Sequence, residues 1–395
     1  MGLRVAIFAL AFTVGAVAFR APSTASAEEG RQRLGDAKWV TGADSWPMSR
    51  GNPRRTGVSA SKLPEKPVRV WRFQGPKAFE AEAAISDGVV YAGTVAGHLY
   101  AIDLASGQSK WETTLTGGLN AGPCVHEGRL YVAQDDGFVA SLDRETGKTI
   151  WSFETGSETF SAPVWHEGRV LAGSYDQSLY CLDATSGTLV WKYETNGPVH
   201  CAPTLDGEGR RAYIAGCDHM LRAIDATSGT LVWEREMESF SAANPAVFGD
   251  ALYVCHFGAK VFAANAQDGK PIWEFASKSS EYPFYASCAV TAKRVVAAGR
   301  DKNVYCLDRE SGKQIWEFTA KGEVDASPVV ADGRVWVGSK GGIFYALDLA
   351  TGGQTWQYAA GPPITASAAV ASGRLVVGDA SGALYCFGRQ EKRKE

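Results

Sequence analysis

Eight tryptophans recur along the chain at nearly constant spacing and constrain the fold more than any other feature. Their spacings are 40, 40, 40, 42, 40, 43 and 40 residues, and the eight are Trp71, Trp111, Trp151, Trp191, Trp233, Trp273, Trp316 and Trp356. From Trp111 onward each tryptophan ends a segment that reads as strand, tight turn, strand, as in LYCLDATSGTLVW ending at Trp191. A repeat of about 20 to 50 residues is typical of a propeller, a solenoid or another array.

Each repeat contains four short apolar segments separated by turn residues. In one unit the segments are 160–165, 170–174, 178–183 and the stretch around Trp191, and four short strands per repeat form one blade of antiparallel sheet. Seven complete units are followed by three strands with no fourth, and VRVWRF around Trp71 supplies the missing strand. The sequence therefore predicts an all-β, eight-bladed β-propeller with four antiparallel strands per blade. Its last blade is closed by the N-terminal strand containing Trp71, which removes an exposed sheet edge.

Two kinds of position repeat in a way that indicates structure rather than catalysis. A small residue stands near the start of each innermost strand, as expected where eight strands crowd an axis: Ala81, Ala121, Ser161, Cys201, Ala243, Ala286, Ala326 and Ala366. An Asp or Asn precedes the turn after the third strand at Asp103, Asp143, Asp183, Asp225, Asn265, Asp308 and Asp348. Such side chains accept hydrogen bonds from turn N–H groups.

Composition and the N-terminus place the protein among exported proteins. The formal net charge of −3, with 21% charged residues, excludes the basic footprint of a nucleic-acid-binding protein. Residues 1–27 carry an early Arg4, an apolar run over 5–19 and small residues before Glu28, which predicts a cleaved signal peptide. A permanent membrane anchor is the alternative, although a span needs about 20 apolar residues. We expect a periplasmic or extracellular protein with no membrane span in its mature chain.

The rest of the chain divides around the repeat array. The predicted segments after the signal peptide are an extended lead-in at 28–65, the propeller at 66–388 and a charged tail at 389–395. The lead-in is polar and turn-rich, and two alternatives stay open for it. Trp39 and Trp46 pin it to the propeller, or it is a loosely ordered leader.

The cysteines form no motif with a chemical function. All eight lie after the signal peptide, at Cys124, Cys181, Cys201, Cys217, Cys255, Cys288, Cys306 and Cys386. The chain has no CxxC, no CxxCH and no adjacent pair, which argues against a thiolate zinc site, c-type haem and a redox pair. We expect mostly small buried hydrophobes. Cys201 and Cys217 fall on adjacent strands of one blade, where a disulfide and two buried thiols are the alternatives.

The repeat resembles the tryptophan-docking motif of pyrroloquinoline quinone (PQQ)-like repeat proteins. SLDRETGKTIW and CLDRESGKQIW are two of seven copies in register, and the resemblance covers residues 66–388. It implies eight blades, with each tryptophan docked between neighbouring blades. One branch of the family comprises quinoprotein dehydrogenases that hold PQQ and calcium, with a vicinal disulfide and long insertions. The other comprises non-catalytic propellers similar to the BamB-like lipoprotein of outer-membrane β-barrel assembly.

This chain lacks adjacent cysteines, long insertions and the lipidated cysteine, so the resemblance implies the fold and no catalytic, cofactor-binding or metal-binding residues. One face of the predicted propeller carries repetitive turns and the other carries varied loops, where recognition usually lies. The candidate partner-binding residues on the varied face are Glu80, Asn120, Phe160, Tyr175, His200, His219, His256, Tyr285, Arg300, Asp325 and Lys340. His200, His219 and His256, with Asp218 nearby, are either a metal cluster or ordinary polar loop residues.

We therefore predict an exported, non-catalytic and monomeric module that binds or scaffolds a protein, including one of outer-membrane assembly, or a polysaccharide. No cofactor is expected. The alternative is a PQQ-dependent quinoprotein oxidoreductase with calcium. A third class, a hydrolase or lyase on the varied face, would need converging carboxylates and His in a deep pocket.

Overall fold

The strands form eight sheets, as the repeat predicts: seven have four antiparallel strands, and one has a fifth, short strand that pairs in parallel with its innermost strand. The computed structural model describes residues 41–278 and 281–389, which belong to one compact unit. Two strands precede the repeats, β1 (Val58–Ser59) and β2 (Val68–Gln74). Blades 1 to 4 contain β3 (Ala84–Ser86), β4 (Val89–Gly93), β5 (His98–Asp103) and β6 (Ser109–Thr114); β7 (Cys124–His126), β8 (Arg129–Ala133), β9 (Phe138–Asp143) and β10 (Thr149–Glu154); β11 (Val164–His166), β12 (Arg169–Ser174), β13 (Ser178–Asp183) and β14 (Leu189–Glu194); and β15 (Thr204–Leu205), β16 (Arg211–Ala215), β17 (Met220–Asp225) and β18 (Leu231–Glu236).

The second half of the chain repeats the arrangement. Blades 5 to 8 contain β19 (Ala246–Phe248), β20 (Ala251–His256), β21 (Lys260–Asn265) and β22 (Pro271–Ala276); β23 (Ala289–Val290), β24 (Arg294–Ala298), β25 (Asn303–Asp308) and β26 (Gln314–Thr319); β27 (Val329–Ala331), β28 (Arg334–Gly338), β29 (Ile343–Asp348) and β30 (Gln354–Ala359); and β31 (Ala369–Ala371), β32 (Arg374–Gly378) and β33 (Ala383–Gly388) with β2. Innermost strands of neighbouring blades lie side by side, as for β3 and β7, β7 and β11, and β15 and β19, and β3 also lies beside β31, so the eight sheets close into a ring. Within the described ranges no helix is long and apolar enough to cross a membrane.

Burial follows the order of strands within a blade. The second and third strands are apolar and buried along most of their length, as in β12 and β13, because each lies between the sheets of two neighbouring blades. The fourth strands are on the outer edge and alternate between exposed and buried residues, as in β14, which is the period of a half-buried strand. The core of the protein is therefore the set of interfaces between adjacent blades.

The ring is closed by the pairing that the isolated Trp71 predicts. β2 pairs antiparallel with β33 as the outer strand of blade 8, with Trp71 opposite Cys386. The edge of β33 is thereby covered by a strand from the other end of the propeller.

The innermost strands differ from the prediction in their length. The segment 160–165 was expected to be a strand, and the observed strand β11 begins only at Val164. In blades 2 to 5 and 7 the residue before the first innermost-strand residue is a proline, which has no N–H to donate to a sheet. A side chain is a second reason for the late start of β11. The Oγ of Ser161, instead of a backbone carbonyl, accepts the N–H of Gly173 at 2.9 Å.

Each of the first seven tryptophans docks against the turn of the following blade. The indole Nε1 donates to a backbone carbonyl there, for example Trp151 to Ala184 at 3.1 Å and Trp316 to Leu349 at 3.0 Å. The turn glycine lies against the face of the same ring: a Cβ built on Gly187 would be 2.5 Å from the Trp151 ring. Gly187 also has a φ of +74°, which glycine adopts without steric cost. The tryptophan and the glycine are thus two halves of one contact between blades.

The repeated carboxylates stabilise their own turns, as predicted. Oδ1 of Asp183 accepts hydrogen bonds from the backbone N–H of Thr185 and from the N–H and hydroxyl of Ser186, at 2.8–3.0 Å. Asn265 accepts the N–H of Gln267 at 2.7 Å in the equivalent turn of blade 5.

Residues 41–60, here called the floor segment, run around one end of the central channel. Backbone carbonyls of this segment accept N–H groups from the second residue of the innermost strand in six blades, at 2.7–3.0 Å. The six donors are Ile85, Val125, Leu205, Val247, Val290 and Val330. The segment returns to its start where the Thr41 N–H donates to Val58 and the Ala60 N–H donates to Thr41. Trp46 is fully buried in this segment, whereas Trp39 and the predicted signal peptide lie outside the described residues.

Two buried arginines of the floor segment bind carbonyl oxygens at the channel. Arg55 donates to Pro203 at 2.9 Å, to Ala162 at 3.0 Å and to Ser49 at 3.0 Å. Burial lowers the pKa of Arg55 to about 10. Arg50 donates to the Ser327, Cys288 and Pro328 carbonyls. Each guanidinium therefore links two neighbouring blades: Arg55 links blades 3 and 4, and Arg50 links blades 6 and 7.

Candidate functional site

The channel opens at the end opposite the floor segment into a cavity of about 600 Å³, here called the vestibule. Its lining consists of Glu80, Asn120, Phe160, Tyr175, His200, Tyr285, Arg300, Asp325, Lys340 and Thr365. A smaller cavity of about 150 Å³ shares several of these residues and reaches down to Ser49 and Arg50 of the floor segment. The vestibule is therefore a blind pocket rather than the entrance of an open channel.

Repeat geometry explains why these side chains converge. Glu80, Asn120, Phe160 and His200 each precede the small axial residue of their blade by one position, so the same backbone course brings all of them to the axis. Tyr175, Arg300 and Lys340 add a second level from the loops between the second and third strands. Of the predicted partner-binding residues, all except His219 and His256 line the vestibule.

One side of the vestibule is aromatic. The ring of Phe160 lies 5.0 Å from that of Tyr175 and 5.9 Å from that of His200. The ring centre of His200 is 6.3 Å from that of Tyr285, and the ring centre of Tyr285 is 5.8 Å from that of Phe257. Such edge-to-face and offset pairs are the arrangements that aromatic rings prefer.

The same aromatic contacts continue out of the vestibule onto the rim. Phe257 lies 4.3 Å from Phe240, whose exposed fraction is 37%. We call the connected set the aromatic band: Phe160, Tyr175, His200, Tyr285, Phe257 and Phe240. Phe240 was not predicted as a site residue, because it lies two positions before Ala242 in a loop that has no repeated pattern. Only its exposure in the structure identifies it.

His200 is a neutral member of the band. It is half-buried in the vestibule wall, and desolvation lowers its pKa below the ordinary value, which favours the uncharged ring at neutral pH. Its Nδ1 is hydrogen-bonded to the hydroxyl of Tyr175 at 2.7 Å. Burial raises the pKa of Tyr175 to about 12, so this hydroxyl keeps its proton at neutral pH. The pair is a fixed polar contact inside an apolar surface.

The other side of the vestibule is a cluster of ion pairs. Arg300 binds Asp325 with two hydrogen bonds, at 2.8 and 3.0 Å, and its guanidinium lies 4.9 Å from the centre of the Tyr285 ring. Lys340 binds Asp325 at 2.9 Å and Glu323 at 2.8 Å. Burial acts to raise the pKa of Asp325, but the hydrogen bonds from Arg300 and Lys340 outweigh it and hold the pKa below its usual value. Both oxygens of Asp325 are therefore already paired.

The structure separates the three histidines considered as a metal cluster. His256 is buried in β20, where its Nδ1 accepts the N–H of Gly258 at 3.0 Å and burial lowers its pKa. His219 lies near Phe240 at the rim, 6.0 Å between ring centres. Asp218 is paired with Arg222 at 2.7 Å. Among residues 41–278 and 281–389, no group of three or more His, Cys, Asp or Glu side chains is arranged to hold a metal ion.

The disulfide considered between Cys201 and Cys217 is not formed in the structure, where both are free thiols. Cys201 is fully buried, and its sulfur accepts the N–H of Ala215 at 3.2 Å. Cys217 is only half-buried and lies in the loop that follows β16. Cys201 lies before β15 and Cys217 lies after β16, so both are outside the adjacent strands on which they were expected, and their side chains occupy different surroundings.

Solved structures similar to this chain include a BamB protein, an alcohol dehydrogenase and a designed protein. BamB from Moraxella catarrhalis has a TM-score of 0.70 and 20% identity, with 83% of this chain and 99% of that chain covered. A quinohemoprotein alcohol dehydrogenase from Comamonas testosteroni has a TM-score of 0.77 and 15% identity, with 89% and 82% covered. The computationally designed protein Ika8 has a TM-score of 0.72 and 16% identity, with 80% and 98% covered. At these identities the likeness concerns the fold alone.

No curated protein matches the sequence significantly. A family model does match, three times in overlapping stretches, over residues 41–163, 139–283 and 265–391. The matches include the floor segment as well as all eight blades. The chain belongs to the family described as outer membrane protein assembly factor BamB.

Proposed function

We propose that the protein is an exported, non-catalytic binding module whose vestibule and aromatic band receive a loop of a protein partner in the cell envelope. The observation that carries this proposal is the continuity of the aromatic band from the closed vestibule to the exposed Phe240. Exposed aromatic patches with neighbouring arginine are typical of the energetically dominant part of protein interfaces. The family name, outer membrane protein assembly factor, points to the same class of role.

The ion-pair cluster favours a protein over a polysaccharide partner. Sugar hydroxyls are bound by planar polar groups that have free hydrogen-bonding capacity. In the vestibule Asp325 is fully engaged by Arg300 and Lys340, whereas the aromatic band offers a preformed apolar surface. A cavity of about 600 Å³ has room for a few side chains of a loop.

Site-specific photocrosslinking in the native cell envelope tests the proposal. A photoreactive residue at position 240 should give adducts with a protein, identified by mass spectrometry. The control position is Ile150, an exposed apolar residue on an outer strand, β10. A second variant, Tyr285→Ala, should weaken adduct formation about tenfold or more, as loss of an interface anchor does. Adducts with barrel-assembly components would place the protein in outer-membrane assembly.

Two results would contradict the proposal. One is an adduct yield at position 240 no higher than at position 150, and the other is adducts with glycan alone, which would favour a polysaccharide partner. The melting temperature of each variant should be measured beside wild type, so that a folding defect is not taken for lost binding.

A PQQ-dependent oxidoreductase is not supported by the residues at the vestibule. Such a site needs ligands for a divalent cation, and the described residues have no cluster of three or more suitable side chains. Asp325 already forms ion pairs with the side chains of Arg300 and Lys340. The chain also has no adjacent cysteines that could form a vicinal disulfide. The expectation that the protein acts without a cofactor stays a prediction.

A further inference from the structure

Cys255 and Cys288 place their sulfur atoms in contact across the interface between blades 5 and 6. Cys255 lies in β20, and Cys288 directly precedes β23. Both are free thiols in the structure, their Sγ atoms are 2.8 Å apart, and both side chains are buried in the same apolar cluster. The pair is not apparent from the repeat pattern, because its members come from different blades.

The distance is short for two unbonded thiols and close to that of a bonded pair. A disulfide has an S–S distance of about 2.05 Å, so bond formation needs the two sulfurs to approach by about 0.75 Å. Sulfur is larger than oxygen, and two thiols at 2.8 Å are crowded. Forming the bond replaces this repulsive contact without moving either strand far.

We propose that Cys255 and Cys288 are oxidised to a disulfide that joins blades 5 and 6. The inference rests on the export part of the proposed function, because disulfides persist in oxidising compartments. In the reaction one cysteine thiolate attacks the disulfide of a donor, such as oxidised glutathione or a protein disulfide, and releases one donor thiol. The second cysteine thiolate then displaces the other donor sulfur. In total the two protein thiols lose two protons and two electrons, and the donor disulfide becomes two thiols.

Burial sets when this reaction takes place. Burial raises the pKa of the Cys255 thiol well above its ordinary value, and the reactive form in exchange is the thiolate. Exchange is therefore slow in the finished fold and faster before blades 5 and 6 close on each other. Once formed, the bond lies beneath the floor segment, where Arg50 donates to the Cys288 carbonyl at 3.3 Å, and is shielded from reductants.

Thiol counting tests the proposal directly. Protein purified from an oxidising compartment is denatured without reductant, alkylated with iodoacetamide and weighed as an intact chain. We expect six of the eight cysteines to be alkylated before reduction and all eight after it, with one cross-linked peptide pair containing Cys255 and Cys288. Eight alkylated cysteines, or a bond between any other pair such as Cys201 and Cys217, would overturn the proposal.

A second experiment, which starts from the reduced protein, tests formation of the Cys255–Cys288 disulfide independently of whether the protein is exported. The reduced, unfolded chain is refolded with glutathione disulfide as the only oxidant, and its thiols are counted in the same way. Formation of the Cys255–Cys288 bond here would support the structural inference even if the native protein were found not to be exported. Failure to form it under these conditions would overturn the inference.

Matched variants test the effect on stability. Reduction should lower the melting temperature of the wild-type protein by roughly 5 °C or more, as loss of a cross-link of this span does. Cys255→Ala should show no further change on reduction, whereas the control Cys386→Ala, a buried cysteine of blade 8, should keep the wild-type response. An equal response to reduction in both variants, or none in wild type, would contradict the proposal.

Discussion

A single glycine in each turn satisfies two independent constraints at the residue scale. Gly187 adopts a left-handed φ of +74°, and its missing Cβ leaves room for the ring of Trp151 from the preceding blade. The sequence motif could predict the backbone conformation, because a glycine after Asp and Ser is a familiar turn signal. The resemblance to the tryptophan-docking motif implies a tryptophan between neighbouring blades, but it does not show that this glycine is the residue the ring contacts.

Substituting alanine at two glycines separates these constraints. Gly168 has a φ of +77° but nothing within 4 Å of a built Cβ, so Gly168→Ala carries only the backbone cost of about 1–2 kcal/mol. Gly187→Ala carries the same backbone cost and also a clash with Trp151, which adds about 1–3 kcal/mol. Chemical unfolding of both variants gives the comparison. Equal losses of unfolding free energy would show that the tryptophan moves aside at little cost.

The turn carboxylates make stability depend on acid. Hydrogen bonds from Ser or Thr hydroxyl and N–H groups hold the pKa of Asp103, Asp143 and Asp308 below the ordinary value. A carboxyl group whose pKa is lower in the folded than in the unfolded chain stabilises the fold. Its contribution is fully present at pH values above the unfolded-state pKa, about 4, and is lost as the pH falls through the folded-state pKa. Acid should therefore destabilise the six turns that carry an aspartate at this position, those of Asp103, Asp143, Asp183, Asp225, Asp308 and Asp348.

A variant with asparagine at these three positions tests the acid dependence. Asn265 shows that an amide is accepted in this turn. We expect a melting temperature slightly below wild type at pH 7 and a smaller further loss between pH 5 and pH 3. Parallel curves of melting temperature against pH for the two proteins would exclude the turns as the source of acid sensitivity.

The floor segment is the element that sequence analysis described least well. Its residues do not repeat, so no periodicity indicates that it follows the ring and binds six blades in turn. Its polar composition was compatible with a loose leader. In the structure one of these polar residues, Arg55, is fully buried and binds three carbonyl oxygens.

Arg55→Met tests whether the floor segment contributes to stability. The substitution keeps the length of the side chain and leaves the buried carbonyls of Ala162 and Pro203 without their donor. We expect a loss of about 3 kcal/mol, because hydrogen bonds from charged groups to buried acceptors are among the costly ones to remove. Arg69→Met is the control on the exposed strand β2, with an expected change within about 0.5 kcal/mol. Similar unfolding free energies for the two variants would contradict this role.

Closure of the ring is the property of the whole molecule that the sequence predicted best. The eight tryptophans, the three unmatched strands after Trp356 and the half-repeat at Trp71 together required eight blades, and β2 pairs with β33 accordingly. The aromatic band was predicted only in part. The vestibule residues occupy repeat positions and could be found from the sequence. His256 could not be excluded, because the sequence does not show that β20 extends to that residue.

Two truncated chains test what closure contributes. A chain that begins at residue 61 lacks the floor segment but keeps β2, and a chain that begins at residue 76 lacks both. We expect the first to be monomeric and the second to associate as its concentration rises, because the uncovered edge of β33 can pair with another chain. Size-exclusion chromatography with light scattering gives the masses. A monomeric chain beginning at residue 76 would contradict the prediction.

The course of the floor segment also sets the order in which the molecule is completed. This segment is synthesised before any blade, yet its hydrogen-bond donors include Val290 of blade 6 and Val330 of blade 7, which are made hundreds of residues later. Likewise, β2 can pair only after β33, near the other end of the propeller, has been synthesised. The early blades are therefore synthesised before the floor segment can cover their inner ends. During this time β2 has no strand to pair with. Assembly ends with a sealing step at the N-terminus, and the interval before it is when the nascent protein is most exposed to proteases and in most need of a chaperone.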